Sequence, residues 1–188
     1  MSKKVPVEVI YTDPRFDSDK PEHEQFVEYD YGREGDAGID LRACIDEPIV
    51  IKPGERITID SGFKMWLKDG LEASIMPRSG LGSKQGIVIG NLVGLIDGNY
   101  QGNVGVCVWN SNSNVKFVDQ LISVDQDGAE TYAQVPVYNK EAEFTINPGD
   151  RICQMKVAEF VEIEPVRVDE FSGTTARGEK GFGSSGVK

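Results

Sequence analysis

Asp97 and Tyr100 stand three residues apart in NLVGLIDGNYQGNVGVCVWN, Asn91 to Asn110, a carboxylate and an aromatic ring set in an otherwise apolar, strand-like run. An aspartate at an Asp-Gly turn can be purely structural, bonding its own backbone two residues on. Its company points elsewhere. Gly90, Gly94, Gly98, Gly102 and Gly105 recur through the segment, and glycine in strands marks bulges or places where a ligand comes close to the backbone. Two basic islands suggest what that ligand carries. PRSGLGSK, Pro77 to Lys84, has two positive charges and no negative one, and Arg177 to Lys188 has three against the single Glu179. Local positive charge on an acidic protein suits a small polyanion, although solvated surface charge would look the same. In the tail, Arg177 is a bidentate phosphate donor, Phe182 a stacking surface, and Ser184 to Gly186 small residues whose amides can cradle oxygens. Those are the parts of a nucleotide lid. The same composition also describes a flexible linker.

The elements that must position these residues read as strands. With 188 residues the chain is long enough for one well-buried core, and the expectation is a single domain over residues 1–188. Short alternating runs broken by glycine-containing turns, with no sustained 3.6-residue period, place it in the all-β class. Strands are expected at Val5 to Tyr11, Ile49 to Ile51, Ile57 to Asp60, Phe63 to Leu67 and Leu71 to Met76. Gly86 to Ile96 and Val104 to Trp109 follow, reversing at Asp97-Gly98-Asn99 as a hairpin would. The best helical segment is a short turn near Ser83. IKPGERI at Ile51 to Ile57 is echoed by INPGDRI at Ile146 to Ile152. A strand-turn-strand unit used twice fits a distorted jelly-roll β-sandwich or barrel of short strands better than a meander. Residues 13–35 read as an acidic, solvated loop without a core of its own, 111–143 as an inserted hairpin turning at Asp127-Gly128, and 172–188 as a flexible, glycine-rich C-terminal arm.

Composition excludes several classes. A net charge of −11 argues against nucleic acid as the main partner. Cys44, Cys107 and Cys153 are dispersed, odd in number and embedded in apolar runs, and His23 is the one histidine. That fits reduced cysteines rather than a disulfide frame or zinc site. No stretch is long and apolar enough to span a membrane, so a cytoplasmic location is expected.

Five stretches in order, DAGIDLRA (Asp36 to Ala43), PRSGLGSK, NLVGLIDGNYQG (Asn91 to Gly102), GDRICQM (Gly149 to Met155) and RGEKGFGSSG (Arg177 to Gly186), resemble the trimeric dUTP pyrophosphatases, or dUTPases. The resemblance covers residues 36–110 and 144–188. It implies hydrolysis of dUTP to dUMP and pyrophosphate, which limits uracil incorporation into DNA and supplies dUMP for dTMP synthesis. Asp97 matches the carboxylate that orients and deprotonates the water attacking the α-phosphate, and Tyr100 the ring that packs under deoxyribose and leaves no room for a 2′-hydroxyl. Asn91 and the backbone of Gly94, Leu95 and Ile96 match the hairpin that reads uracil, with Gly105 touching the base through its main chain. Arg78, Ser79, Gly80 and Gln154 match phosphate contacts, while Arg177 approaches the γ-phosphate. Phe182 would stack on uracil as the arm closes, with Gly183, Ser184 and Ser185 completing the lid. Mg²⁺ would be held mainly by phosphates and water, with Asp40 steadying its water shell. Arg151 reads as structural, pairing with Asp40. In this family three protomers build each site, so the resemblance also implies a homotrimer with shared active sites.

Two rivals use the same scaffold. A dCTP deaminase-like enzyme needs a glutamate on the strand after the aspartate turn, where this chain has Val106, Cys107 and Val108. A non-catalytic nucleotide- or protein-binding module would be favoured by loss of Asp97, which is present. Residues 111–143 depart from the family pattern and offer a place for a protein partner.

Overall fold

The structure is a computed structural model that describes residues 4–17, 29, 31–68 and 70–179. Phe182, Gly183, Ser184, Ser185 and His23 lie outside the described residues. Two four-stranded antiparallel sheets share one apolar core in a jelly-roll arrangement. The first has the order β1 (Glu8–Tyr11), β4 (Arg56–Trp66), β8 (Asn103–Asn110), β6 (Ile87–Ile89). The second has the order β2 (Ile39–Arg42), β12 (Arg151–Glu159), β5 (Leu71–Pro77), β7 (Gly94–Ile96). Strand alternation explains the burial. Val104, Val106 and Val108 of β8 point inward and are essentially inaccessible, while Asn103 and Gly105 face out. Leu41, Ala73, Ile75, Cys153 and Met155 supply the facing side of the core.

The strands that lead into the repeated Pro-Gly turns pair with each other. β3 (Ile49–Ile51) pairs antiparallel with β11 (Phe144–Ile146), each the strand before one of the echoed turns. Asn110, fully buried, donates its amide to the carbonyls of Ile51 (2.9 Å) and Ala142 (2.7 Å) and accepts from Asn112. It thereby ties that pair to the base of a separate ribbon, β9 (Val115–Val124) against β10 (Glu130–Tyr138), which turns at residues 125–128. The short helix α1 (Ser79–Gln85) starts where Pro77 ends β5 and stops at Gly86, whose φ of 67° is left-handed. Asn112 lies so close to Gly86 that a β-carbon would fall 2.3 Å from its side-chain oxygen.

Four expectations are corrected. The Asp-Gly-Asn turn is not a hairpin: β7 pairs with β5 and β8 pairs with β4 and β6, so the chain crosses from one sheet to the other there. Gly86 to Ile96 is accordingly two strands, broken by a loop in which Leu92 adopts a φ of 66°. Asp60-Ser61-Gly62 is a bulge inside one long β4 instead of a turn between two strands, with the register to β8 shifting between Asp60 and Lys64. Turns and bulges use the same residue types, and only the neighbouring ladders distinguish them. Finally, the acidic loop is not wholly solvated. Tyr29 is half-buried against the core, its ring 4.6 Å from that of Phe63, and its hydroxyl donates to the Ser61 carbonyl at 2.6 Å. Burial raises the Tyr29 phenol well above its ordinary value.

Candidate functional site

The basic half of the site lies on the outer face of the second sheet. Asp40 on β2 sits opposite Gln154 on β12, which sits opposite Met76 on β5. Arg78 follows β5 directly and turns back over the sheet, its Nε 2.9 Å from Asp40 Oδ1. Arg151, at the start of β12, places Nη1 3.2 Å from Asp40 Oδ2. One carboxylate thus spaces two guanidiniums, each of which keeps other donors for a ligand, since five N–H groups are available per arginine. Gln154 donates to the Pro77 carbonyl at 3.2 Å. A β-carbon at Gly38 would come within 3.1 Å of the Gln154 side-chain oxygen, so the glycine of DAGID leaves that amide its place.

A cleft of about 1010 Å³ opens over these residues, with Ser79 and Gly80 at one side. Its far wall was anticipated only in part. Tyr31, Arg33 and Asp36 line it from the segment preceding β2, and Arg42 joins them from β2 itself. Arg42 donates to the Gly149 carbonyl at 3.0 Å, which holds the second Pro-Gly turn just before Arg151. Asp36 and Arg42 belong to the DAGIDLRA motif, whereas Tyr31 and Arg33 lie ahead of it and were hidden by the acidic charge around them.

The second half of the site lies on β7, the crossover and β8. Ile96, Leu95 and Gly94 pair with Ala73, Ser74 and Ile75, and Asn91 is exposed in the loop before them. The crossover turn is closed by main chain, Tyr100 N–H donating to the Asp97 carbonyl at 3.1 Å. The exposed Asp97 carboxylate has no hydrogen-bond or ion-pair partner among the described residues. It therefore does not cap its own turn. Gly98 sits where a β-carbon would fall 2.5 Å from the Lys68 carbonyl oxygen and 2.8 Å from that of Leu71, so the backbone fits there only without a side chain. Tyr100 folds over Gly102 and donates its hydroxyl to the Asn103 carbonyl at 2.9 Å. Gly105 faces Asp60 across the β4–β8 ladder.

Within one chain the two halves do not converge. From Asp40 to the Asp97 turn the path crosses three strand spacings and runs three residues along β12, about 14 Å across and 10 Å along by strand geometry. Arg177 lies in exposed irregular chain beyond β12. No group of three or more His, Cys, Asp or Glu side chains suited to a metal occurs among the described residues. The three cysteines are free thiols, with burial pushing Cys44 up to about 12 and Cys153 higher still.

Comparison with known proteins gives a consistent result. A family model described as dUTPase matches residues 25–120 and 119–186. The deoxyuridine 5'-triphosphate nucleotidohydrolase of Enterobacter sp. (strain 638) is 42% identical over 189 residues, covering 100% of both chains. That of Gamma-proteobacterium EBAC31A08 is 44% identical over 158 residues, 84% of this chain and 93% of its own. Among solved structures, the Staphylococcus bacteriophage 80alpha dUTPase with dUPNHPP superposes with a TM-score of 0.73 at 27% identity, covering 98% of this chain and 100% of that one. A phage phi11 dUTPase structure described as coordinating a structural Mg(II) ion shares the fold, with a TM-score of 0.66.

Proposed function

This chain belongs to the dUTPase family, and from that premise we propose that it hydrolyses dUTP to dUMP and pyrophosphate with Asp97 as general base. The observation that carries the reading is the unengaged Asp97 carboxylate on a turn closed by backbone alone. Such a group is free to orient a water and take its proton as the water attacks the α-phosphate, a contribution of about 100- to 10,000-fold.

The chain's other residues divide the remaining work. Arg78, Ser79, Gly80 and Gln154 take the phosphates, and Arg151 holds Asp40 in place from the opposite side to Arg78. Asn91, Gly94, Leu95, Ile96 and Gly105 take the base, Tyr100 the sugar. Arg177 neutralises the terminal phosphate from the arm, with Phe182, Gly183, Ser184 and Ser185 closing over the nucleotide. Asp40 fits a role toward Mg²⁺ through water: both oxygens already accept from arginine, but each carboxylate oxygen has a second lone pair for a water proton. The ion, when bound, offsets triphosphate charge and draws most of its ligands from phosphate and water. The separation of the two halves within a chain supports shared sites in which the phosphate half of one protomer faces the Asp97 half of a neighbour, in the homotrimer that the resemblance implies.

Purified protein with Mg²⁺ and, in turn, dUTP, UTP, dCTP and dTTP, assayed for pyrophosphate and ammonia, tests the assignment. Pyrophosphate from dUTP alone is expected. Ammonia from dCTP, or no pyrophosphate from dUTP, would overturn it.

A further inference from the structure

The nucleoside half of the site contains a tether that runs from Tyr100 back into the first sheet. The Tyr100 hydroxyl donates to the carbonyl of Asn103 at 2.9 Å. The Asn103 side-chain amide donates to Asp60 Oδ2 at 2.8 Å, and Asp60 Oδ1 accepts from the Gly62 N–H at 2.7 Å. Asp60 also pairs directly with Gly105. Between Asp60 and Lys64 the register of β4 against β8 shifts, so a bulge on β4 separates the Asp60–Gly105 pair from the Lys64–Asn103 pair. The Asp60–Asn103 bond spans that interruption.

We propose that Asp60 and Asn103 are positioning residues for sugar selection: they fix the carbonyl that holds the Tyr100 hydroxyl and so fix the ring against which the nucleotide's sugar packs. This rests on the reading of Tyr100 as the deoxyribose-packing residue. The ring has two constraints. From below, Gly102 gives it room, since a β-carbon there would lie 2.3 Å from the hydroxyl oxygen. At its tip the hydroxyl is anchored. Release of the anchor lets the ring tilt over Gly102, and the space gained is the space a ribose 2′-hydroxyl needs. Neither residue touches the nucleotide in this scheme, and both act through Tyr100.

The test is the ratio of kcat/KM for dUTP to that for UTP in Asp60→Ala, Asn103→Ala, Asp60→Asn, Tyr100→Phe and Tyr100→Ala. Loss of stability alone lowers the active fraction for both substrates equally and leaves this ratio unchanged, so it separates positioning from folding. Asp60→Ala and Tyr100→Phe are each expected to lower the ratio about 5- to 10-fold, the effect of one lost hydrogen bond. Combining them should cost no more than either alone, because both break one chain of contacts. Asp60→Asn keeps an acceptor for Gly62 and can meet a flipped Asn103 amide, so it should restore most of the selectivity. If Tyr100→Ala lowers the ratio while Asp60→Ala and Asn103→Ala do not, the tether is structural and the proposal fails. If Tyr100→Ala leaves the ratio intact, the sugar role of Tyr100 falls and the proposal with it. Wild-type protein inert toward dUTP would instead overturn the assignment of function.

Discussion

At the scale of single residues, the division of labour within Asp97 is informative: its carbonyl closes the turn and its carboxylate does not. Asparagine fits the same turn, so Asp97→Asn removes the base without removing the fold. Turnover of dUTP is expected to fall by about 100-fold or more while a non-hydrolysable dUTP analogue still binds and the thermal midpoint holds; an unchanged kcat would take Asp97 out of the mechanism. Asp13 is a contrasting carboxylate. Arg15 donates Nε to it at 2.7 Å and holds its pKa below the ordinary 3.8. A depressed folded pKa gives stability that is present above the unfolded value and lost as pH falls through the folded one. Asp13→Asn should therefore cost about 1 to 2 kcal/mol by urea titration at pH 7, and the gap from wild type should narrow as pH falls below 3.8. A gap independent of pH would assign the loss to packing. The sequence pointed to the Asp40–Arg151 pair only through the motif resemblance, because residues 40 and 151 are far apart in the chain. It hid the second arginine on Asp40, since nothing in the spacing of residues 40 and 78 says that a strand end turns back over the sheet.

At the scale of elements, period-2 alternation and Pro-Gly turns revealed the β class and several strand positions, and the echo of IKPGERI in INPGDRI turned out to mark strands that pair with each other. What alternation cannot reveal is which sheet a strand joins. Gly94–Ile96 and Asn103–Asn110 look like hairpin partners across Asp-Gly, yet they sit in different sheets because β5 and β4 claim them. The crossover depends on Gly98, wedged against the carbonyls of Lys68 and Leu71. Backbone atoms cannot yield as a side-chain end would. Gly98→Ala is expected to cost about 1 to 3 kcal/mol of stability by overpacking and, by moving the adjacent Asp97, to lower kcat/KM in the fraction that remains folded. Unfolding curves and steady-state kinetics on the same preparation check both. A stable variant with full activity would mean that the turn is free to shift.

At the scale of the whole molecule, the sheet itself keeps the two halves of the site apart, because the Asp97 turn and Asp40 lie on strands at opposite edges of the order β2-β12-β5-β7. No rotamer change closes a gap of that size, whereas rotation of a second copy about a symmetry axis can bring its Arg78 cleft to the first copy's Asp97. The consequence is testable by complementation. Asp97→Asn chains and Arg78→Ala chains should each be nearly inactive alone. Unfolded together in equal amounts and refolded as mixed oligomers, they should recover activity, because a site that draws Arg78 from the first kind of chain and Asp97 from the second has both groups intact. With random assembly this holds for about a quarter of sites, so recovery toward a quarter of the wild-type rate is expected. The two variants refolded separately and then combined, without exchange of subunits, provide the baseline. Recovery no greater than that baseline would mean that one chain supplies both groups to its own site, and would require a rearrangement of the second sheet that its continuous ladders from β2 to β7 oppose.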